Sequence, residues 1–98
     1  MPVIESRLSV RDPTFVSNAE TMRGLVADLH ARIADIEQGG GDAARAKHVA
    51  RGKLLPRDRV RSLLDPGSPF LEFSQLAAYG MYGDRIASAG IVTGVGRV

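Results

Sequence analysis

Two cations flank a glycine near the middle of the chain, in Arg51-Gly52-Lys53. An arginine guanidinium can form two parallel hydrogen bonds to a phosphate, and a lysine ammonium acts as a point charge. The pattern is therefore compatible with an anionic ligand. It is also typical of solvated side chains that stabilise the carboxyl end of a helix through its dipole. The residues by themselves favour this second interpretation.

No other group of residues has a spacing that supports catalysis or metal binding. His30 and His48 are far apart and lack carboxylate-rich ligand spacing, and the chain has no cysteine, so the sequence predicts no metal site. Gly94-x-Gly96 lacks the third glycine and the following helix of a dinucleotide-binding loop. No serine lies in a nucleophile-elbow pattern. The residues therefore predict no active site.

Length and composition indicate one small domain. The chain has 98 residues, of which 44% are hydrophobic, and its net charge is +2. A charge this small does not indicate a polyanionic partner. No apolar run approaches the roughly 20 residues of a membrane span, and the first residues show no signal-peptide pattern. We expect a cytoplasmic protein without a membrane partner.

A long amphipathic helix is predicted after an extended arm over residues 1–16. Ser17 and Glu20 have the spacing of a capping box, which predicts that the helix starts at Ser17. The three glycines at positions 39–41 are predicted to end the helix. Apolar residues recur at steps of three and four, which is typical of one buried stripe. They are Met22, Leu25, Val26, Leu29, Ile33 and Ile36.

Two shorter helices are predicted in a basic segment, residues 42–65. Asp42 can cap a helix that Gly52 ends, and Pro56 suits the first position of the next. The segment contains seven basic and three acidic side chains, a local charge of +4. A nucleic-acid-binding module would use such a surface, but with 5% aromatic residues and no tryptophan the chain offers little for base stacking.

Strands are predicted in the last third of the chain. Phe70–Phe73 alternates as a short strand does, and residues 89–98 are β-branched and glycine-punctuated, as in a buried strand or hairpin. A strand that ends at Val98 leaves backbone groups unpaired, which indicates part of a larger fold. We therefore expect the 98 residues alone to be marginally stable.

From Gly39 onward the sequence resembles the carboxyltransferase (β) subunit of biotin-dependent acyl-CoA carboxylases, most closely the methylcrotonoyl-CoA carboxylase branch. The Tyr79-Gly80-Met81-Tyr82-Gly83-Asp84 segment is most similar to that branch. Four further motifs carry the resemblance. In order, they are Gly39-Gly40-Gly41 with residues 44–51, Arg51-Gly52-Lys53-Leu54-Leu55-Pro56-Arg57-Asp58-Arg59, Leu63-Leu64-Asp65-Pro66-Gly67-Ser68-Pro69-Phe70-Leu71-Glu72 and Gly90-Ile91-Val92-Thr93-Gly94-Val95-Gly96-Arg97-Val98.

The resemblance implies an α/β fold in which N-terminal helices precede the first strands of a crotonase-like (ββα superhelix) carboxyltransferase domain, here truncated. We expect an extended arm over residues 1–16 and a helical segment over 17–65. The acyl-CoA carboxyltransferase domain would then begin within 66–98.

The resemblance also implies an enzyme, a ligase that forms carbon–carbon bonds. The family subunit transfers a carboxyl group from carboxybiotin to an acyl-CoA, here 3-methylcrotonoyl-CoA of leucine degradation. The biotin-carrying α subunit supplies carboxybiotin and the β subunits form homo-oligomers, so no cofactor is expected on this segment. The family's oxyanion-stabilising glycines lie beyond Val98. We therefore assign no catalytic residue and expect the 98 residues alone to be inactive.

Arg51 and Lys53 become candidate contacts for the phosphates of coenzyme A through this resemblance. An alternative is that the charges that follow them form ion pairs that clamp the helices onto a larger core, namely Arg57, Asp58, Arg59 and Asp65. Two alternatives for the function also stay open: a propionyl- or acetyl-CoA carboxylase β subunit, and a non-enzymatic helical assembly module.

Overall fold

The computed structural model describes all 98 residues. It contains three helices, α1 (Pro13–Glu37), α2 (Asp42–Ala50) and α3 (Pro56–Leu63), and two strands, β1 (Phe70–Phe73) and β2 (Thr93–Gly96). Short 3₁₀ turns at Tyr82–Asp84 and Ala87–Gly90 lie between the strands. The chain divides into two units, Met1–Ala31 and Arg32–Val98. None of the helices combines the length and apolarity that a membrane crossing requires.

Helix α1 begins at Pro13, four residues before the predicted start, so the capping box at Ser17 and the end of the arm at residue 16 are wrong. The Asp12 carboxylate accepts a hydrogen bond from the Thr14 N–H at 2.7 Å, and the Asp12 carbonyl accepts one from the Val16 N–H at 3.0 Å. Pro13 then takes the first helical position, where no N–H is needed. An Asp-Pro start therefore replaces the predicted one.

The apolar stripe of α1 differs between the two units. In the first unit the side chains of Met22, Leu25 and Leu29 are exposed. In the second unit Ile36 is buried, with 9% of its surface exposed, and it is the one buried hydrophobic residue of the chain. A core this small agrees with the expectation of marginal stability, which stays a prediction.

Helices α2 and α3 lie close to their predicted bounds. Gly52 ends the turn after α2 with a φ of +72°, a left-handed conformation that suits glycine. Asp42 does not cap α2: its N-cap is Gly41, and the Asp42 carboxylate forms an ion pair with Arg45 instead. Pro56 opens α3 as predicted.

The two strands form an antiparallel pair in which Phe70 lies opposite Gly96 and Phe73 opposite Thr93. Strand β2 is exposed along its whole length, so the prediction of a buried strand is wrong. The two glycines of β2 lie in close contact with neighbouring side chains, which leaves no room for a Cβ atom. A Cβ atom at Gly94 would lie 2.5 Å from the Phe70 ring, and one at Gly96 would lie 2.4 Å from the Leu64 side chain.

The chain beyond β2 is held by the linker that follows α3. The Asp65 N–H donates to the Arg97 carbonyl at 2.9 Å, and Arg97 Nε donates to the Asp65 carboxylate at the same distance. The end of the strand pair at Phe70 and Gly96 is therefore tied to the linker between α3 and β1.

A polar cluster centred on Arg57 joins the elements of the second unit. Arg57 Nε donates to both carboxylate oxygens of Glu72 at 3.1 Å, and Nη2 donates to Glu72 Oε1 at 2.5 Å. Only 14% of the Arg57 side chain and 10% of the Glu72 side chain are exposed. Helix α3 is thereby paired with β1 by a largely desolvated ion pair.

The remaining donors of Arg57 bind two further segments. Nη1 lies 3.4 Å from the carbonyls of Ile36 and Glu37 at the end of α1, and Nη2 donates to the Ser88 hydroxyl at 3.2 Å. Ser88 is 3% exposed and donates to the Gln75 carbonyl at 3.2 Å. The cluster thus also fixes the 3₁₀ turn at Ala87–Gly90.

That turn is locally unfavourable. Ser88 and Ala89 have φ angles of 52° and 51°, and such a conformation costs about 1–3 kcal/mol for a residue other than glycine. The hydrogen bonds of Ser88 help to offset this cost, together with one from the Ala89 N–H to the Ala77 carbonyl at 3.0 Å. The turn therefore depends on the Arg57 cluster.

Replacing Arg57 with glutamine should strongly lower the free energy of unfolding of the chain. The change leaves the Glu72 carboxylate desolvated without its cation, which costs about 3–5 kcal/mol, a large part of the stability of any small domain. Urea unfolding followed by far-ultraviolet circular dichroism measures the effect.

The matched control is Arg61→Gln on the same helix. Arg61 pairs with Asp58 at 2.8 Å, but the two side chains are 75% and 42% exposed, and such pairs contribute about 0–1 kcal/mol. Equal loss of stability in Arg57→Gln and Arg61→Gln would show that the buried pair has no special role.

Candidate functional site

The predicted contacts Arg51 and Lys53 lie on either side of the turn that ends α2. The Gly52 N–H donates to the Val49 carbonyl at 2.9 Å, which closes the turn, and both cations are exposed. Neither side chain forms an ion pair within the chain. Both are therefore accessible to a ligand, and their assignment to coenzyme A stays a prediction.

Lys53 lines a depression of about 400 Å³ together with His48, Leu54 and Arg59. His48 Nε2 lies 2.8 Å from the Leu54 carbonyl, a contact that ties α2 to the segment before α3. Arg51 is not part of this lining. The structure therefore groups Lys53 with Arg59, a residue that the sequence assigned to an ion pair.

A larger cavity of about 670 Å³ lies in the second unit, beside α3 and the 3₁₀ turn at Ala87–Gly90. Its walls combine apolar side chains with four arginines and two carboxylates. The charged residues are Glu37, Arg57, Asp58, Arg59, Arg61 and Arg85. The cavity is thus mainly apolar and basic.

The ion-pair interpretation of the basic segment holds for three of its four residues. Arg57 pairs with Glu72, Asp58 with Arg61, and Asp65 with Arg97. Arg59 has no ion-pair partner, so its predicted ion pair is wrong. It lines both the 400 Å³ depression and the 670 Å³ cavity. The side chain at position 59 points away from that at position 57 around α3, so Arg59 does not reach Glu72, and Arg61 pairs with Asp58 on its own helix.

Sequence reasoning gave Arg59 no role in ligand binding and did not consider Arg85. Arg85 follows a loop that was recognised only as a turn, and nothing in its spacing relates it to residues 57–61. Its place in the 670 Å³ cavity depends on the 3₁₀ turn that the Arg57 cluster holds. No group of three histidine, cysteine or carboxylate side chains could hold a metal ion.

Comparison with known proteins identifies relatives for nearly the whole chain. The 3-methylcrotonyl-coenzyme A carboxylase β1 subunit of Mycobacterium tuberculosis is 60% identical over 82 residues, which cover 84% of this chain and 16% of that protein. The probable mitochondrial methylcrotonoyl-CoA carboxylase β chain of Drosophila melanogaster is 46% identical over 97 residues, or 98% of this chain and 17% of that one.

The β subunit of geranyl-CoA carboxylase from P. aeruginosa has a similar structure, with a TM-score of 0.82 at 40% identity. The match covers 99% of this chain and 18% of that chain. The predicted fold class, N-terminal helices followed by the first strands of a crotonase-like carboxyltransferase domain, is thereby confirmed. The chain spans about a sixth of the length of the relatives it matches.

The domain boundaries predicted after residues 16 and 65 stay predictions with respect to the family's layout, apart from the earlier start of α1. The model of the carboxyl transferase domain matches residues 47–98. This match includes α3, both strands and the Arg57, Glu72 and Ser88 side chains of the Arg57 cluster, and it covers more than half of the sequence. On these grounds the chain belongs to the carboxyl transferase domain family.

Proposed function

We propose that the chain is the N-terminal part of an acyl-CoA carboxyltransferase subunit, with 3-methylcrotonoyl-CoA as the acyl substrate. The observation that carries the proposal is the 60% identity with a subunit named for that substrate, over 84% of this chain. The second relative is also named for it, and the structural neighbour is named for geranyl-CoA. The acyl group is therefore the least constrained part of the proposal.

In this reaction a carboxyl group moves from carboxybiotin to the acyl group of the thioester. We propose that a biotin-carrying α subunit supplies carboxybiotin and that β subunits assemble with one another. No residue of this chain is assigned to biotin or to the bond-forming step. The contribution of the chain is to bind acyl-CoA and to hold the first strands in place through the Arg57 cluster. A cytoplasmic location stays a prediction.

Arg51 and Lys53 are proposed as contacts for the phosphates of coenzyme A. Both are exposed cations on either side of one turn, within a segment of local charge +4. Lys53 also shares its depression with Arg59, so one phosphate could meet two cations there. Charge-assisted hydrogen bonds to phosphate are about twice as strong as neutral ones.

A helical assembly module is the second candidate function. It is favoured by the exposed stripe on α1, which includes Met22, Leu25 and Leu29, because a stripe of this kind suits a partner surface. A propionyl- or acetyl-CoA carboxylase subunit is the alternative within the same reaction class. Carboxylation assays with different acyl-CoA substrates distinguish these two functions from the proposed one.

A chimera tests the proposed function directly. This chain replaces the matching segment of the M. tuberculosis β1 subunit, and the purified chimera, together with its α subunit, is assayed with 3-methylcrotonyl-CoA, propionyl-CoA and acetyl-CoA. We expect carboxylation within about tenfold of the unmodified subunit, with the same preferred substrate. The 98 residues alone should show no transfer above background, since they correspond to about 16% of the relative.

A control chimera carries the same segment with Arg57→Gln, which should lose activity because the strand pair loses its anchor. A folded and assembled first chimera without carboxylation of any of the three substrates would contradict the proposed function. It would leave the assembly module as the better account.

Reversing both charges, Arg51→Glu with Lys53→Glu, should weaken acyl-CoA binding by the chimera more than it weakens folding. Hydrogen bonds to charged groups contribute about 1.5–3 kcal/mol each, and exposed ion pairs about 0–1 kcal/mol. Calorimetric titration with acyl-CoA and thermal unfolding measure the two effects. The control reverses Arg7 and Arg11, two exposed cations of the first unit. Normal binding with a lowered unfolding temperature would make Arg51 and Lys53 structural residues.

A further inference from the structure

We propose that Arg59 and Arg85 bind the phosphate of a small phosphate monoester in the 670 Å³ cavity, and that the apolar wall of this cavity holds the ester's organic part. The inference goes beyond the proposed function because it assigns an anion site to residues other than Arg51 and Lys53. The proposed site binds a ligand and takes no part in a chemical reaction.

The cavity has the size and lining of a small-molecule site. Its volume of about 670 Å³ falls within the range of about 300–1,000 Å³ found for ligand pockets, which are mainly apolar with a few polar groups. The apolar lining residues include Leu55 and Val60 from the α3 region and Ile86, Ile91 and Val92 from the chain around the second 3₁₀ turn. An organic body of one or two rings fits such a wall.

Three of the six charged lining groups are already in ion pairs. Arg57 is bound by Glu72 and Arg61 by Asp58, and the Glu37 carboxylate lies 3.4 Å from the amide of Gln75. The lining arginines whose guanidinium groups form no hydrogen bond or ion pair are Arg59 and Arg85. The cavity therefore has two cations without an ion-pair partner, Arg59 and Arg85, and one carboxylate, Glu37, that contacts only a neutral amide.

The neighbouring carboxylate, Asp84, forms no ion pair with Arg85. Asp84 accepts a hydrogen bond from the Gly80 N–H at 2.6 Å and is not a lining residue. The 670 Å³ cavity is thus lined by cations from two separate segments, Arg59 on α3 and Arg85 after the first 3₁₀ turn.

A phosphate monoester matches these features better than a carboxylate does. It carries a charge of about −1.5 to −2 at neutral pH and three acceptor oxygens, so it can accept from two guanidinium groups at once. Arginine also suits planar, bidentate recognition of phosphate. Coenzyme A and a separate metabolite could each supply this group.

Phenyl phosphate is the probe, titrated into the isotope-labelled 98-residue chain and followed by NMR of backbone amides and by circular dichroism. Binding should shift the amides of residues 55–61 and 85–92. It should also raise the folded fraction, because a ligand that binds only the folded state stabilises it by mass action. Phenol and inorganic phosphate, which each lack one half of the ligand, should bind at least about tenfold more weakly.

Arg85→Gln is the decisive variant because Arg85 lines this cavity but not the depression of Lys53. We expect Arg59→Gln and Arg85→Gln each to weaken binding about tenfold, and Arg85→Lys to restore part of it. Arg7→Gln and Arg11→Gln, at exposed cations of the first unit that line neither hollow, should leave binding unchanged. If coenzyme A displaces phenyl phosphate, the ligand of the cavity is a phosphate of coenzyme A. If it does not, the ligand is a separate phosphate ester.

The proposal is overturned if phenyl phosphate changes neither the amide shifts nor the dichroism. It is also overturned if Arg85→Gln binds normally, or if Lys53→Gln alone abolishes binding. None of these results depends on carboxylation by the chimera, so failure of the site and failure of the proposed function are distinguishable.

Discussion

The desolvated ion pair between Arg57 and Glu72 is the interaction on which the second unit depends. With almost no apolar core, and Ile36 and Ser88 as its only buried residues, the unit is organised by directional polar contacts. One guanidinium binds the carboxylate of β1, two carbonyls at the end of α1 and the hydroxyl of Ser88. A buried pair of this kind adds little net stability, but removing one partner is costly. It therefore specifies the arrangement of the segments more than it stabilises them.

The contacts of this pair also shape the candidate ligand-binding surface. Arg57 forms part of the wall of the larger cavity, and the turn that it holds through Ser88 brings Arg85 to the same hollow as Arg59. Lys53 shares Arg59 in the adjacent depression. The arginines of α3 thus differ in role: Arg57 and Arg61 form ion pairs, whereas Arg59 is unpaired and lines both the cavity and the depression.

Much of the local structure could be predicted from the sequence because its signals are local. Pro56 and Gly52 marked the ends of helices, and alternation marked β1. The start of α1 was missed because Asp12-Pro13 competes with the capping box at Ser17. Contacts between distant residues could not be predicted: nothing near Arg57 indicates Glu72, and only the packed structure shows that Gly94 lies against the ring of Phe70 and Gly96 against the side chain of Leu64. Arg51 and Lys53 could be proposed as ligand contacts from their residue types. The place of Arg85 in the 670 Å³ cavity depends on the folded turn, which the sequence does not indicate.

Amide hydrogen exchange of the 98-residue chain tests the role of the Arg57 cluster most directly. In Arg57→Gln, protection should be lost together at the Ala89 amide, which is bonded to Ala77, and along both strands, because one cluster holds the turn and the strand pair. The amides of α2, which make no contact with the cluster, should keep more of their protection, and Arg61→Gln should resemble the unmodified chain. Loss of protection confined to the first turn of α3, with the strands and Ala89 unchanged, would contradict this account.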